Sequence, residues 1–301
     1  MSPAITVGLD GSPESLAAAE WAAREAALRA LPLQLIHVGE PTAAPNAQAP
    51  SLDAATLKHW SERIPREAAQ GLSLRHPGIE VSTRHLAGQS SEVLLDVASD
   101  AAMLVLGSRG LSGIRGFMTG SVGLAVVAQA KQPVTLVRAD GQAANAHTQD
   151  PAGIPSAATP FRPVVLGLDT ANPDDSVIEF AFDAAARRDT TLRAVHSWAL
   201  PPSYVYSLGI DFALHDELTR QQATALTDLL SPWQRKFPTV EVVTDCRTGN
   251  ASAHLIDASR DACLVVVGRR VRRSAVGAHI GPVTHAVLHH ATAPVTVVAH
   301  N

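Results

Sequence analysis

The sequence has few cysteines and no long hydrophobic run, and each shortage excludes a class of protein. The apolar runs at 103–106 and 124–128 are far too short to span a bilayer. No basic stretch followed by an apolar run and a cleavage site opens the chain, which argues against a signal peptide. The two cysteines, Cys246 and Cys263, fall inside predicted strands, which favours reduced thiols over a disulfide. We therefore expect a soluble, cytoplasmic protein with no membrane partner.

The chain also has few aromatic residues and a small net charge. Aromatics make up 4% of the 301 residues although apolar residues make up 46%, so alanine and valine must do most of the packing. That composition suits buried parallel strands covered by closely packed helices. The formal net charge is −4 at pH 7, so overall charge does not draw the chain to nucleic acid.

The chain repeats itself. Four short segments recur with nearly the same offset, namely 5–10 with 164–169, 33–38 with 192–197, 103–107 with 264–268, and 133–137 with 294–298. Between the copies, the composition is rich in Ala, Gly, Pro, Asn and Thr and lacks apolar periodicity, which is typical of a linker. The sequence therefore predicts a first domain at 1–140, a linker at 141–160 and a second domain at 161–301.

Each copy alternates short apolar strands with amphipathic helices. In the first copy the predicted strands are 4–10, 33–39, 79–86, 102–107 and 133–138, and the predicted helices are 13–30, 52–74, 90–100 and 119–131. This alternation predicts an α/β fold, with two tandem doubly wound domains. Each would be a five-stranded parallel sheet of order 3-2-1-4-5 with helices on both faces. Ligands bind such sheets where the chain reverses direction, here at the carboxyl ends of strands 1 and 4.

A glycine-rich loop follows strand 4. It begins with Gly-Ser-Arg-Gly at 107–110 and ends with Gly120 and Ser121, which open a predicted helix. A glycine loop that leads into a helix N-terminus is suited to anions, above all phosphates. Arg109 and the Ser121 hydroxyl would add hydrogen bonds.

Strand 1 is followed by Asp10. At the switch point, a carboxylate in this place can accept hydrogen bonds from ribose hydroxyls. Main-chain groups at Gly8, Leu9, Val38 and Leu106 would then hold an adenine. The alternative is that Asp10 and the glycines only make turns; their joint placement at both strand ends favours nucleotide binding.

At these residues the sequence resembles the universal stress protein family. Its signature, G-x2-G-x9-G-[ST], is matched by Gly107, Gly110, Gly120 and Ser121. Segments 7–12, 37–38 and 133–137 look like its first, second and fifth strands. The resemblance implies a cytoplasmic stress-response protein that binds ATP, with or without Mg²⁺, and domains that pair through their fifth strands. It also implies a homodimer and an unidentified protein partner.

The resemblance also assigns site residues. Adenosine contacts fall on Gly8, Leu9, Asp10, Val38 and Leu106, and phosphate contacts fall on Gly107, Ser108, Arg109, Gly110, Gly120, Ser121 and Val122. It implies no catalytic residue and no metal ligand.

The second copy departs from the signature. Val271 replaces the second glycine, and Pro282 replaces the serine, removing a hydroxyl and a backbone N–H. Arginines at 269, 270, 272 and 273 could hold phosphate by charge instead, or form a solvated or domain-contacting loop, which we favour. We expect the second site to be empty or much weaker.

His285 and His289 are four residues apart on the last predicted helix. That spacing can bind a metal, but no carboxylate or thiolate completes the set at an obvious spacing. Surface or interface histidines are therefore expected here.

The absence of G-x-G-x-x-G from the first strand–helix turn counts against a flavin or dinucleotide protein, and a purely structural interaction module is a reasonable interpretation of the second copy alone. Two further classes of function are weighed for the first copy. The first is a nucleotide-binding regulatory module, which we favour. The second is a slow ATP hydrolase or a nucleotide-using transferase. Against the second, the sequence has no G-x4-G-K-[ST] loop and hence no phosphate-binding lysine.

Overall fold

A computed structural model describes residues 3–39, 54–108, 121–139, 146–152, 154, 156, 158–199, 212–271 and 280–301. For residues 54–62, 121 and 212–213 it describes the backbone alone. The described residues up to 139 and those from 146 onward form two compact units. The domain boundaries at 140 and 160 stay predictions.

The first unit is a five-stranded parallel sheet with helices between the strands. Its elements are β1 (Ile5–Leu9), α1 (Pro13–Arg29), β2 (Leu33–Gly39), α2 (Ala54–Arg75), β3 (Val81–Ala87), α3 (Ser90–Asp100), β4 (Met103–Ser108), α4 (Ser121–Gln129) and β5 (Val134–Arg138). The strand order is β3-β2-β1-β4-β5, and every pairing is parallel. The predicted fold class and strand order are confirmed.

The second unit repeats this arrangement. Its elements are β6 (Val164–Gly167), α5 (Asp175–Arg187), β7 (Leu192–Trp198), α6 (Phe212–Lys236), β8 (Val242–Thr248), α7 (Ala251–Ala258), β9 (Leu264–Arg270), α8 (Pro282–His290) and β10 (Val295–His300). The strand order is β8-β7-β6-β9-β10, again parallel throughout. A short 3₁₀ turn, Ser259–Asp261, follows α7.

Helix α1 begins where the sequence predicts it. The Ser12 side chain accepts a hydrogen bond from the Ser15 N–H, Pro13 takes the first helical position, and Glu14 lies in the first turn. The buried face of α1 is mostly alanine, and Ala18 and Ala22 are completely buried. Small side chains let α1 lie close to the sheet, which brings its first turn up to the end of β4.

The core of the first unit is formed by the central strands. Ile5, Val7, Leu104 and Val105 are completely buried, as expected for strands covered on both faces. Edge strand β3 is by contrast largely exposed. The central strands therefore form the buried core, and the carboxyl ends of β1 and β4 lie side by side because these strands are paired.

Part of the predicted linker has structure of its own. His147 forms an antiparallel bridge with Phe161, and their rings lie 4.1 Å apart. The Thr148 N–H donates to the Pro160 carbonyl at 2.9 Å, and the Arg162 N–H to the Ala146 carbonyl at 2.9 Å. The composition of this segment gives no sign of the pairing, because it depends on backbone bonds and one aromatic contact.

Both cysteines are free thiols, as the sequence predicts. Cys263 is buried and Cys246 is half-buried. Burial and the charge of Asp245 raise the pKa of the Cys246 thiol. The thiol is therefore protonated and unreactive near neutral pH.

Candidate functional site

A cleft opens in the first unit where β1 and β4 end side by side. It has a volume of about 270 Å³ and is bounded by the ends of β1, β2 and β4 and the first turns of α1, α3 and α4. Ile36, Leu94 and Leu106 give it an apolar wall, and Asp10, Ser12 and Glu14 lie along its rim. The cleft therefore lies at the switch point that the strand order predicts.

Seven of the twelve predicted site residues line this cleft together. They are Gly8, Leu9, Asp10, Val38, Leu106, Gly107 and Val122. Arg109, Gly110 and Gly120 lie outside the described residues, and Ser121 is described only as the first residue of α4. The structure thus brings together the ends of three strands and the start of α4, which are far apart in the sequence.

Ser108 is placed differently. It ends β4, but its side chain is 2% exposed and does not line the cleft. Within the described part of the chain, its hydroxyl has no hydrogen-bond partner. A contact from Ser108 to a ligand in the cleft would have to come from its main chain.

The Asp10 carboxylate is held by the turn that follows β1. Its Oδ1 accepts hydrogen bonds from the Ser12 N–H at 2.9 Å and from the Ser12 hydroxyl at 2.5 Å. Gly11 between them has φ of 81°, a conformation that favours glycine. The Asp-Gly-Ser turn therefore fixes the carboxylate at the rim of the cleft while Ser12 caps α1.

Gly107 has a packing role that the sequence does not reveal. A Cβ at this position would lie 2.6 Å from the Glu14 carbonyl carbon and 2.7 Å from the Ser15 nitrogen. Both are backbone atoms of the first turn of α1. Glycine is required here because helix and strand touch, whether or not a ligand is bound.

His37 does not line the cleft but supports it from behind β1, a role that sequence reasoning missed. Its Nδ1 donates to the Leu9 carbonyl at 2.8 Å and so ties the end of β1 to β2. The second unit repeats the bond, with His196 Nδ1 at 3.0 Å from the Leu168 carbonyl. The signal was available, because both histidines occupy the same place in the repeated second strand.

The second unit has its own cleft, of about 530 Å³, at the ends of β6 and β9. Much of its lining is equivalent, position for position, to that of the first cleft: Gly167, Leu168, Asp169, Val195, Leu255, Val267, Gly268 and Val283. The duplication therefore preserves a cleft in the second unit as well as the fold.

The second cleft differs from the first in some of its polar groups. Ser197 stands where the first cleft has Val38, and its hydroxyl lies 2.9 Å from His254 Nδ1. Asp174 lines the cleft and caps α5, with its Oδ2 3.6 Å from His300 Nδ1. Helix α8 starts with Pro282, which has no N–H to offer.

Two of the four arginines of the second copy, Arg269 and Arg270, lie in the part of the chain that the structure describes. Arg269 belongs to β9 and is 5% exposed, and burial lowers the pKa of its guanidinium. Arg270 ends β9 and lines the cleft. These two belong to the end of a strand and not to a solvated loop, while residues 272 and 273 lie outside the described residues.

Comparison with known proteins identifies the family. The sequence model of the universal stress protein family matches residues 1–138 and again residues 160–299. The chain belongs to the universal stress protein family. The double match agrees with the duplicated fold, and the resemblance carried by the glycine signature is confirmed.

Three relatives illustrate the match. A universal stress protein of Mycolicibacterium smegmatis is 31% identical over 304 residues, covering 98% of this chain and 96% of the relative. One of Mycobacterium tuberculosis is 32% identical over 301 residues, covering 97% and 96%. The crystal structure of a universal stress protein from Archaeoglobus fulgidus superposes with a TM-score of 0.70 at 16% identity, covering 99% of this chain and 98% of that one. The last shows the fold.

Two further observations concern the described residues alone. None of the helices in this part of the chain is long and apolar enough to cross a membrane. No group of three or more His, Cys, Asp or Glu side chains among these residues is arranged to hold a metal ion.

Proposed function

We propose that this universal stress protein binds ATP, or a closely related adenine nucleotide, in the cleft of its first unit. In this proposal it acts as a regulatory module of the cytoplasmic stress response and catalyses no reaction. The observation that carries the proposal is the convergence of seven predicted contact residues on one cleft at the switch point of the sheet. Its volume of about 270 Å³ lies just below the range of about 300–1,000 Å³ that is typical of ligand sites.

The apolar wall of the cleft suits the adenine. Strand β1 ends at Leu9, opposite His37, whereas β2 continues through Val38 to Gly39. Val38 therefore has no β1 residue beside it, and its main-chain groups on that side border the cleft. Backbone hydrogen bonds from this edge would recognise the adenine ring, while Leu94 and Leu106 cover its faces.

The rim suits the ribose. Asp10 is exposed, and the Ser12 hydrogen bonds fix the direction of its carboxylate before any ligand arrives. An oriented carboxylate at the end of the first strand can accept from two ribose hydroxyls without a further loss of side-chain entropy. His37 supports the same turn through the Leu9 carbonyl.

The start of α4 suits the phosphates. Val122, in its first turn, lines the cleft, so the helix N-terminus faces the cavity with its unpaired N–H groups and partial positive charge. The proposal assigns the remaining phosphate contacts to Arg109, Gly110, Gly120 and Ser121 of the signature. The proposal covers binding of ATP both with and without Mg²⁺.

The positions of the carboxylates in the first cleft favour a regulatory role over hydrolysis. Asp10 and Glu14 are the acidic residues among the described lining, and one Asp10 oxygen already accepts two hydrogen bonds from Ser12. A ribose contact at Asp10 leaves it far from the terminal phosphate. In this proposal nucleotide binding changes the surface around the cleft, and an unidentified protein partner recognises the nucleotide-bound form of a homodimer.

The second cleft is proposed to bind ATP weakly or not at all. Pro282 removes a backbone donor at the start of α8, which disfavours a polyphosphate. The carboxylates do not distinguish the clefts, because Asp169 and Asp174 line the second as Asp10 and Glu14 line the first. Arg270 adds a positive charge but does not replace the lost backbone donor.

Calorimetric titration with ATP tests the proposal, with and without Mg²⁺. Asp10→Ala should weaken binding by about 1–3 kcal/mol because charge-assisted hydrogen bonds to the ribose are lost. The matched control is Asp169→Ala, the equivalent change in the second unit, which should leave the affinity unchanged. If both variants bind ATP as tightly as the parent protein, the site is misplaced.

A further inference from the structure

Helix α8 carries three histidines in its last two turns, and two of them converge. The Nε2 atoms of His285 and His289 lie 3.3 Å apart, with ring centroids 4.4 Å apart and ring planes at 49°. The His290 ring turns away, 6.5 Å from that of His289. The spacing of four residues places the first two on the same face of the helix.

The distance between the two nitrogens matches a metal chelate. Two imidazole nitrogens bound at 2.0–2.1 Å to one tetrahedral ion are about 3.3–3.4 Å apart. Square-planar coordination at the same bond length would need a separation of about 2.9 Å. We propose that His285 and His289 form a two-point binding site for a tetrahedral divalent cation, of which Zn²⁺ is the prototype.

The helix presents the pair to solvent. Its buried face is formed by Thr284, Val287 and Leu288, while His285 is exposed and His289 is half-buried. The described residues include no group of three or more His, Cys, Asp or Glu arranged to hold a metal, so the proposal uses two protein ligands from this part of the chain, with water in the other positions. An ion can therefore enter and leave without opening the core.

A metal ion binds the neutral form of an imidazole ring. Burial and the neighbouring histidines lower the pKa of His289, which favours its neutral form. In the metal-free pair, one Nε2–H donates to the other Nε2. On binding, the donor ring moves its proton to Nδ1, so both Nε2 lone pairs reach the ion and neutral rings release no net proton.

The site belongs to the second copy alone. The equivalent positions in α4 are Leu124 and Ala128, neither of which binds metals. The duplication thus gives each unit its own ligand chemistry, with the cation site on the helix whose first turn lines the second cleft through Val283 and Thr284.

Titration of the purified full chain with Zn²⁺ tests the site, by calorimetry and by the rise in melting temperature. We expect one ion per chain. His285→Gln and His289→Gln should each weaken binding by at least about tenfold, because one donor no longer holds the ion near the other. The double variant keeps neither donor and should bind no ion at this site. His290→Gln is the matched control and should bind like the parent.

A second measurement does not depend on affinity. The visible absorption spectrum of bound Co²⁺ should show the bands of tetrahedral coordination in the parent and in His290→Gln, and lose them in each of the other single variants. The proposal is overturned if the parent binds no Zn²⁺ at millimolar concentration, if the two Gln variants bind like the parent, or if His290→Gln abolishes binding. Melting in metal-free buffer checks that each variant is folded.

Discussion

Gly107 touches Glu14: a Cβ on Gly107 would lie 2.6 Å from the Glu14 carbonyl carbon. The first glycine of the phosphate signature therefore also fixes how closely α1 approaches β4. Packing and the proposed ligand binding depend on the same residue, because the cleft is formed where these two elements meet.

Gly107→Ala should destabilise the protein by about 1–3 kcal/mol, since the added methyl group meets backbone atoms that cannot rotate away. The equivalent change, Gly268→Ala, should cost much less because the added carbon meets the movable ring of His300 at 2.8 Å. Urea denaturation of both variants makes the comparison. If both variants lose the same free energy of unfolding, α1 does not pack against Gly107 closely enough to exclude a methyl group.

His37→Gln should lower both the stability and the ATP affinity. The Nδ1 donor that holds the Leu9 carbonyl is lost, at a cost of about 1 kcal/mol, and Asp10 becomes less well positioned. His37→Asn places an amide N–H near the position of Nδ1 and should restore much of the loss. Calorimetry with ATP and thermal melting measure both effects. If His37→Asn loses as much stability and ATP affinity as His37→Gln, the hydrogen bond to the Leu9 carbonyl contributes to neither.

Gly120→Val should abolish ATP binding and leave the melting temperature unchanged, because the side chain would occupy the path of the phosphates. The matched control is Gly281→Val in the second unit. Gly281 has an extended backbone and open space around its Cβ position, so the change is tolerated there. ATP affinity should stay at the parent value in this control. If Gly120→Val binds ATP as tightly as the parent protein, the glycine signature is not part of the binding site.

Asp245 makes the stability of the second unit depend on pH. Burial acts to raise its pKa, but hydrogen bonds from Arg247 and Arg193 outweigh burial and lower it below the ordinary value of 3.8. A lowered pKa stabilises the fold at pH values above 3.8, and this contribution is lost as the pH falls through the lowered pKa.

Asp245→Asn should therefore cost about 1.5–3 kcal/mol at pH 7, and the difference from the parent should disappear in strong acid. Asp257→Asn changes an exposed carboxylate near the same arginine and serves as control, with little effect expected. Denaturation of both variants across the pH range distinguishes them. A difference that persists at the lowest pH would contradict the argument.

Much of the fold follows from the sequence, because repeated apolar strands and a well-capped helix act locally. The Ser12-Pro13-Glu14 start of α1 is confirmed, and so are the strand order and the duplication. Other features depend on contacts between distant segments. The burial of Ser108 follows from the packing around the end of β4, and the Gly107–Glu14 contact follows from the distance between helix and strand.

The second cleft was harder to predict. Helix α5 begins later after Asp169 than α1 begins after Asp10, because Asn172-Pro173 disfavours helix before Asp174. The sequence identifies the lost glycine and serine but not the resulting arrangement of Asp174, His300 and Ser197. Their positions depend on a turn, a chain end and a strand that are far apart in the sequence.

The nucleotide content of protein purified without added ligand tests the central claim most directly. The protein is denatured, and the released nucleotide is identified and counted against the chain concentration. The account predicts about one ATP per chain in the parent and none in Gly120→Val. Two ATP per chain would contradict the weak second cleft, and none in the parent, with no ATP bound on titration, would contradict the proposed site itself.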